Sequence, residues 1–162
     1  MQINSTNKVV RKVMSFINHY DHDKYWRRRN KVIDPAYQNK LFKLYYLLYV
    51  KWVDSHWNCT FGTGWNEGAY FATPPLLWHG PNGIIVAYNV QVGKNSIFCQ
   101  RVTICNGECV IIGDDVFVGS NVYIGPGVHI GNGVKIGANA VVVEDVPDNA
   151  TVVMQKPRII LK

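Results

Sequence analysis

From Val86 to Pro147 a hydrophobic position recurs at every sixth residue. The series runs Val86, Val92, Phe98, Ile104 and, after one slip of two residues, Ile112, Val118, Ile124, Ile130, Ile136 and Val142. Glycine follows the marker at Gly93, Gly113, Gly119, Gly125, Gly131 and Gly137, and a small or β-branched residue comes four places after it, as at Val90, Ser96, Val102, Val116 and Val122. An α-helix has no use for this pattern. A period of six drifts around a 3.6-residue turn, and each Gly would cost about 1 kcal/mol. A hairpin meander needs turn signals every eight to twelve residues. A period of six instead predicts a short strand, a corner and another short strand, with the marker pointing inward. Three such faces close a triangular coil of about eighteen residues, and coils stack through ladder bonds. Gly, with Asn95, Asp114, Asn121, Asn132 and Asn139, is expected to permit tight packing and the unusual φ of corners.

Upstream the period changes. Ser5 to Phe16 predicts a helix capped by Ser5 or Thr6, with Val9, Val10, Val13 and Ile17 on one face. A polar stretch, His19 to Asp23, leads into the basic run Lys24 to Lys31, whose charge suits nucleic acid or a membrane headgroup but which, without a folded binding module, is read as a solvated face. His19 and His22 beside two Asp have the makings of a metal pair, but a solvated helix start or linker explains them more simply. After Asp34-Pro35 a second helix is expected over about Ala36 to His56. Its stripe of Leu41, Leu44, Tyr45, Leu48, Tyr49 and Trp52 is expected to pack on the first coil or on a neighbouring subunit. The chain thus divides into a helical segment (1–58), an irregular first coil with a Gly- and Pro-rich turn (59–85), and the repeats with a C-terminal strand (86–162).

The chain has 162 residues, a net charge of +6 and a pI near 9.2, which favours anionic partners without choosing among them. Cys59, Cys99, Cys105 and Cys109, with no secretory leader, suggest reduced thiols and a cytoplasmic location. Cys105 and Cys109 have no second pair at finger-like spacing, so no metal is expected. The apolar run Leu41 to Val53 is interrupted by Lys43 and Lys51, so no transmembrane segment is expected.

The six-residue repeat resembles that of the left-handed parallel β-helix. The fold class expected is therefore all-β dominant, a left-handed parallel β-helix with an N-terminal α-helical segment, the hand being taken from the resemblance alone. His79, in the turn before the regular coils, is followed by Gly83-Ile84-Ile85-Val86 and a coil ending in Val102-Thr103-Ile104. That context is similar to the acyl-CoA-dependent hexapeptide acyltransferases, in particular the branch around serine acetyltransferase and the capsular or exopolysaccharide O-acetyltransferases. The resemblance covers roughly Leu76 to Ile160.

What the resemblance implies is a homotrimer with acetyl-CoA in the groove between subunits and His79 as general base. A neutral imidazole titrates near working pH, so it suits a proton taken from a hydroxyl and returned to a leaving thiolate. By position in the family, coenzyme contacts fall on Thr103, Cys105, Gly119, Ser120 and Ala138, with Lys156 and Arg158 toward the phosphates. The ending Met154-Gln155-Lys156-Pro157-Arg158 departs from the family's usual Gly-Asn-Pro-Ala-Arg. His129 is expected to face solvent and receives no role.

Two further departures concern the acceptor. Serine acetyltransferases carry Asp before the catalytic His, where this chain has Trp78, and a longer excursion with a second His, where it has only Cys105 to Ile111 with Glu108. With Trp65, Tyr70 and Phe71 nearby, Trp78 suggests an acceptor with an apolar ring face, such as a sugar, and Trp78, Trp65, Glu67 and Tyr70 are the residues expected to bind it. The rivals are serine O-acetylation, a carbonic-anhydrase-like metal site, for which only His79 and His129 lie in the coils, and a trimeric scaffold without catalysis.

Overall fold

The structure is a computed structural model that describes residues 8–154. Three helices come first: α1 (Lys8–Ile17), α2 (His22–Ile33) and α3 (Lys40–Trp57). The expected cap at Ser5 or Thr6 lies outside the described residues, as do Lys156 and Arg158. α2 was not expected as a helix. Asp21 caps it by accepting from the Lys24 amide at 2.9 Å, and Tyr25, Trp26, Arg29 and Val32 form its buried side. α3 starts later than Ala36, at the Asn39 cap, and stops where Asn58 turns left-handed at φ +46°.

The rest is a stack of triangular coils. The first coil holds β1 (Thr60–Phe61), β2 (Tyr70–Phe71) and β3 (Leu76–Pro81); the second β4 (Ile85–Val86), β5 (Gln91–Val92) and β6 (Ile97–Phe98). The third holds β7 (Thr103–Ile104), β8 (Ile111–Ile112) and β9 (Phe117–Val118); the fourth β10 (Tyr123–Ile124), β11 (His129–Ile130) and β12 (Lys135–Ile136). β13 (Val141–Val142) and β14 (Thr151–Val152) begin a fifth, whose middle face is a bridge from Val146 to Ile130. All the pairing between strands is parallel, in three sheets ordered β1-β4-β7-β10-β13, β2-β5-β8-β11 and β3-β6-β9-β12-β14, here called the first, second and third faces. Every marker from Val86 to Val142 points inward and is buried. The fold is the expected parallel β-helix with helices at its N-terminal end.

One expectation about glycine is corrected. None of the six glycines that follow the markers has positive φ. They allow close approach between coils: a Cβ on Gly93 would lie 2.6 Å from the Gly113 carbonyl, and one on Gly119 2.7 Å from the Ala138 nitrogen. The left-handed corners are Asn95, Asp115, Asn121, Asn139 and Asn149, with Arg101 and Gly133. Asp114 and Asn132 serve differently, their side chains accepting the amides of Lys94 and Asp114 in the coil before.

The helices close the open end of the stack, and they do so with cations. Every coil except the first has its ladder groups met by a coil on the N-terminal side. Over the first coil, Arg29 is fully buried; it donates to the Phe61 and Ala69 carbonyls, each at 2.6 Å, and lies against the Trp26 and Phe71 rings. Lys51 donates to the Thr63 carbonyl at 2.8 Å, and Lys43 to the Asp34 carbonyl and Asn66 Oδ1, both at 2.6 Å. The basic run is thus not wholly a solvated face, since Arg29 is its buried member. Of the two places expected for the stripe, the first coil is corrected. Leu41, Leu44, Tyr45, Leu48 and Trp52 are exposed, and the buried residues of α3 are Lys43, Val50, Val53 and Asp54.

Candidate active site

The third-to-first corner differs between coils. Six residue steps separate the inward markers Phe98 and Ile104, Val118 and Ile124, and Ile136 and Val142, but nine separate Leu77 from Val86. The ladder absorbs the difference at one place. Arg101 donates its amide to the Asn82 carbonyl at 2.9 Å, as Asn121 does to Gln100 (3.1 Å) and Asn139 to Ser120 (2.8 Å). Gly83 (φ +66°) therefore stands over Arg101, Asn121 and Asn139 in one left-handed column. The three additional residues lie between Leu77 and Asn82, and they push the chain outward as an excursion from the first coil.

His79 is on that excursion, within β3 and not in a loose turn, and it is exposed. The segment is held from behind by the end of α3. Gly83 donates its amide to the Trp57 carbonyl at 3.1 Å, and a Cβ on Gly80, where φ is +71°, would lie 3.5 Å from the Trp57 ring. Trp57 is itself anchored by its indole N–H on the Asn18 carbonyl at 3.1 Å. Trp78 turns the other way and lies 5.6 Å, centroid to centroid, from Phe117 on the third face.

The register decides which of the expected residues share this corner. Leu77, Phe98, Val118 and Ile136 are in register. The corner beyond them reads Cys99-Gln100, then Gly119-Ser120, then Gly137-Ala138. Gly119, Ser120 and Ala138 thus run along the prism in the same corner as His79, as a strip of small residues. Thr103 starts β7, just past this corner on the first face.

Other expected residues lie elsewhere. Cys105 is at the far edge of the first face, its thiol donating to the Tyr123 hydroxyl at 3.0 Å. It opens the excursion of the third coil, which is pinned by Asn89 Nδ2 on the Gly107 carbonyl at 2.6 Å and by the Gly127 amide on the Glu108 carbonyl at 3.1 Å. Trp65 and Glu67 are in the first-coil loop at that same first-to-second corner, closed by the Thr63–Gly68 bridge, and Tyr70 is on the second face. Within one chain, these three do not meet His79. His129 faces outward, with Nδ1 3.5 Å from Asp145. His19 lies against His56 at 4.8 Å between ring centroids, and His22 shares a 2.9 Å hydrogen bond with the Tyr20 hydroxyl.

Two residues that pattern reading did not single out complete the corner. Gln100, in the coil next to His79, has a buried Oε1 without a hydrogen-bond partner among the described residues. Arg101 beside it holds a left-handed conformation, φ +58°, that residues of its type rarely adopt, with Cγ 3.0 Å from where a Gly83 Cβ would be. The signal that finds them is the ladder column, which puts Arg where its neighbours are Gly and Asn.

A stack of this kind defines a hexapeptide-repeat β-helix protein, and comparison with known proteins agrees. The family model for the bacterial transferase hexapeptide (six repeats) matches residues 109–143. Serine acetyltransferase of Neisseria gonorrhoeae, solved in complex with serine, is similar at 30% identity and TM-score 0.55, over 73% of this chain and 48% of that one. Serine acetyltransferase isoform 3 of Entamoeba histolytica, solved with cysteine, is similar at 21% identity and TM-score 0.60, over 74% and 43%. At that identity the likeness is one of fold. This chain spans less than half the length of either structure, and no curated protein sequence matches it. The chain therefore carries a hexapeptide-repeat segment of the transferase type, and its prism is similar to that of the serine acetyltransferases.

Proposed function

We propose that this protein is an acetyl-CoA-dependent O-acetyltransferase with His79 as its general base. One observation carries the reading: the only outward excursion of the third-to-first corner among the described coils bears an exposed His and stands in line with a strip of small residues. The strip fits a pantetheine arm. Gly119, Ser120 and Ala138 let a chain approach the backbone along this corner. His79 accepts the proton of the acceptor hydroxyl as its oxygen bonds to the thioester carbon. The carbon–sulfur bond then breaks, and the imidazolium returns the proton to the thiolate.

A homotrimer is part of the proposal. Trp65, Glu67, Tyr70 and Cys105 lie at or near the first-to-second corner, so they join this chemistry if that corner of one copy meets the His79 corner of the next. The likeness to serine acetyltransferases favours serine as acceptor over the sugar expected from the sequence. A sugar hydroxyl is the second reading, favoured by Trp78 beside the base and by a third-coil excursion without His.

The test is thiol release from acetyl-CoA with L-serine and, separately, with nucleotide-sugars and glycans. Turnover with one class chooses the acceptor, and His79→Ala lowers it about 10²- to 10⁴-fold with the circular dichroism unchanged. An unchanged rate in His79→Ala removes the base assignment.

A further inference from the structure

The helical segment has a surface that capping does not use. α1 exposes Val13, Phe16 and Ile17, and α3 exposes Leu44, Leu48 and Trp52 at steps of four. Between the two helices lies an open cleft of about 770 Å³, lined by Val13, Phe16, Tyr49 and Trp52 among others, with Lys12 and Lys24 also in its lining. The apolar surface is therefore continuous from α1 across Trp52 and along α3. Scattered exposed apolar residues are ordinary, but a continuous face of this kind calls for an occupant.

Charge identifies the occupant. Residues 1–57 hold eleven Lys and Arg against four Asp and Glu, a net +7, while residues 58–162 hold six against seven. The whole positive charge of the protein is thus on the segment with the apolar face. Two of those cations, Arg29 and Lys43, are buried in the cap. Others lie among aromatic rings of α3: Arg28 is 4.2 Å from the Tyr49 centroid and 4.9 Å from that of Tyr45, and Lys24 is 5.0 Å from Tyr49. Apolar side chains, aromatic rings and cations combined on one helical surface suit the boundary between acyl chains and anionic headgroups. A second copy of the same surface would set the cations at this face, Lys12, Lys24 and Arg28, against their own counterparts. No helix among the described residues is long and apolar enough to cross a membrane, so the association is peripheral.

We infer that α1 and α3 dock this protein on an anionic lipid bilayer. The inference is independent of the acyl-transfer reading, because no residue of the face belongs to the His79 corner. The full chain is sedimented with vesicles of phosphatidylcholine alone or enriched in phosphatidylglycerol, at low and high salt. The expected result is binding to the anionic vesicles only, lost at high salt, with Lys12→Ala weakening it about fivefold. Phe16→Glu and Leu48→Glu abolish it while leaving circular dichroism and thiol release unchanged. Three results overturn the inference: no sedimentation with anionic vesicles, equal binding to neutral ones, or a change of particle mass in the Glu variants, which would make the face a contact between copies.

Discussion

The prism and its helical cap solve opposite problems. Inside the prism each coil meets another like itself, so one inward aliphatic residue and one close-approach glycine, repeated, satisfy both core and backbone. The cap meets a coil that has no predecessor, and its buried side must supply donors as well as apolar surface. Arg29 and Lys51 do so on the Phe61, Ala69 and Thr63 carbonyls, with Asp54 receiving the Tyr25 hydroxyl at 2.6 Å. A repeat can be stabilised by repetition, but its end requires residues that the repeat never contains.

The most severe way to break that contrast is to remove the cap's central donor. Arg29→Met leaves two buried carbonyls unpaired and is expected to cost roughly 3–5 kcal/mol, read by urea denaturation. A loss under 1 kcal/mol would mean that the end of the stack needs no donors. Next comes the carboxyl of the cap. Burial raises Asp54 to about 6, against the lowering effect of the Tyr25 hydrogen bond and of Lys51 and Arg29. An unfolded Asp titrates near 3.9. The folded protein therefore holds the proton between about pH 4 and 6. Stability from this group is full below pH 4 and is lost as pH rises through 6, a decline of roughly 2–3 kcal/mol. Asp54→Asn should flatten that decline in denaturation series across the window, and an unaltered slope would assign it to another group. The smallest expected effect sharpens the prism side. Gly93→Ala, whose Cβ meets the Gly113 carbonyl at 2.6 Å, should cost about 1–3 kcal/mol, whereas Gly125→Ala, with its nearest neighbour at 3.4 Å, should cost less than Gly93→Ala in thermal unfolding.

The same contrast explains what the sequence could tell. The prism was legible because its period is fixed by geometry, and the two-residue slip before Ile112 fell where the third coil lengthens. α2 was not legible as a helix, since its buried side includes Arg29 and polarity there reads as solvation. α3 was legible as a helix but the side it turns to the first coil was not, because two of its four buried residues, Lys43 and Asp54, are charged. At the site, the resemblance drew attention to His79, and the register puts it in line with Gly119, Ser120 and Ala138. Gln100 and Arg101 emerge only when coils are aligned corner by corner, a comparison between positions about eighteen residues apart that no local pattern makes.

The excursions at Leu77–Val86 and Ile104–Ile112 leave the markers on either side in register. Length added at a bend is therefore invisible to the neighbouring layers, and such an architecture can acquire or exchange chemistry by insertion without renegotiating its interior. The second-to-third bends, where each marker is six residues from the next from Phe71 to Ile136, offer unused attachment points for engineered loops.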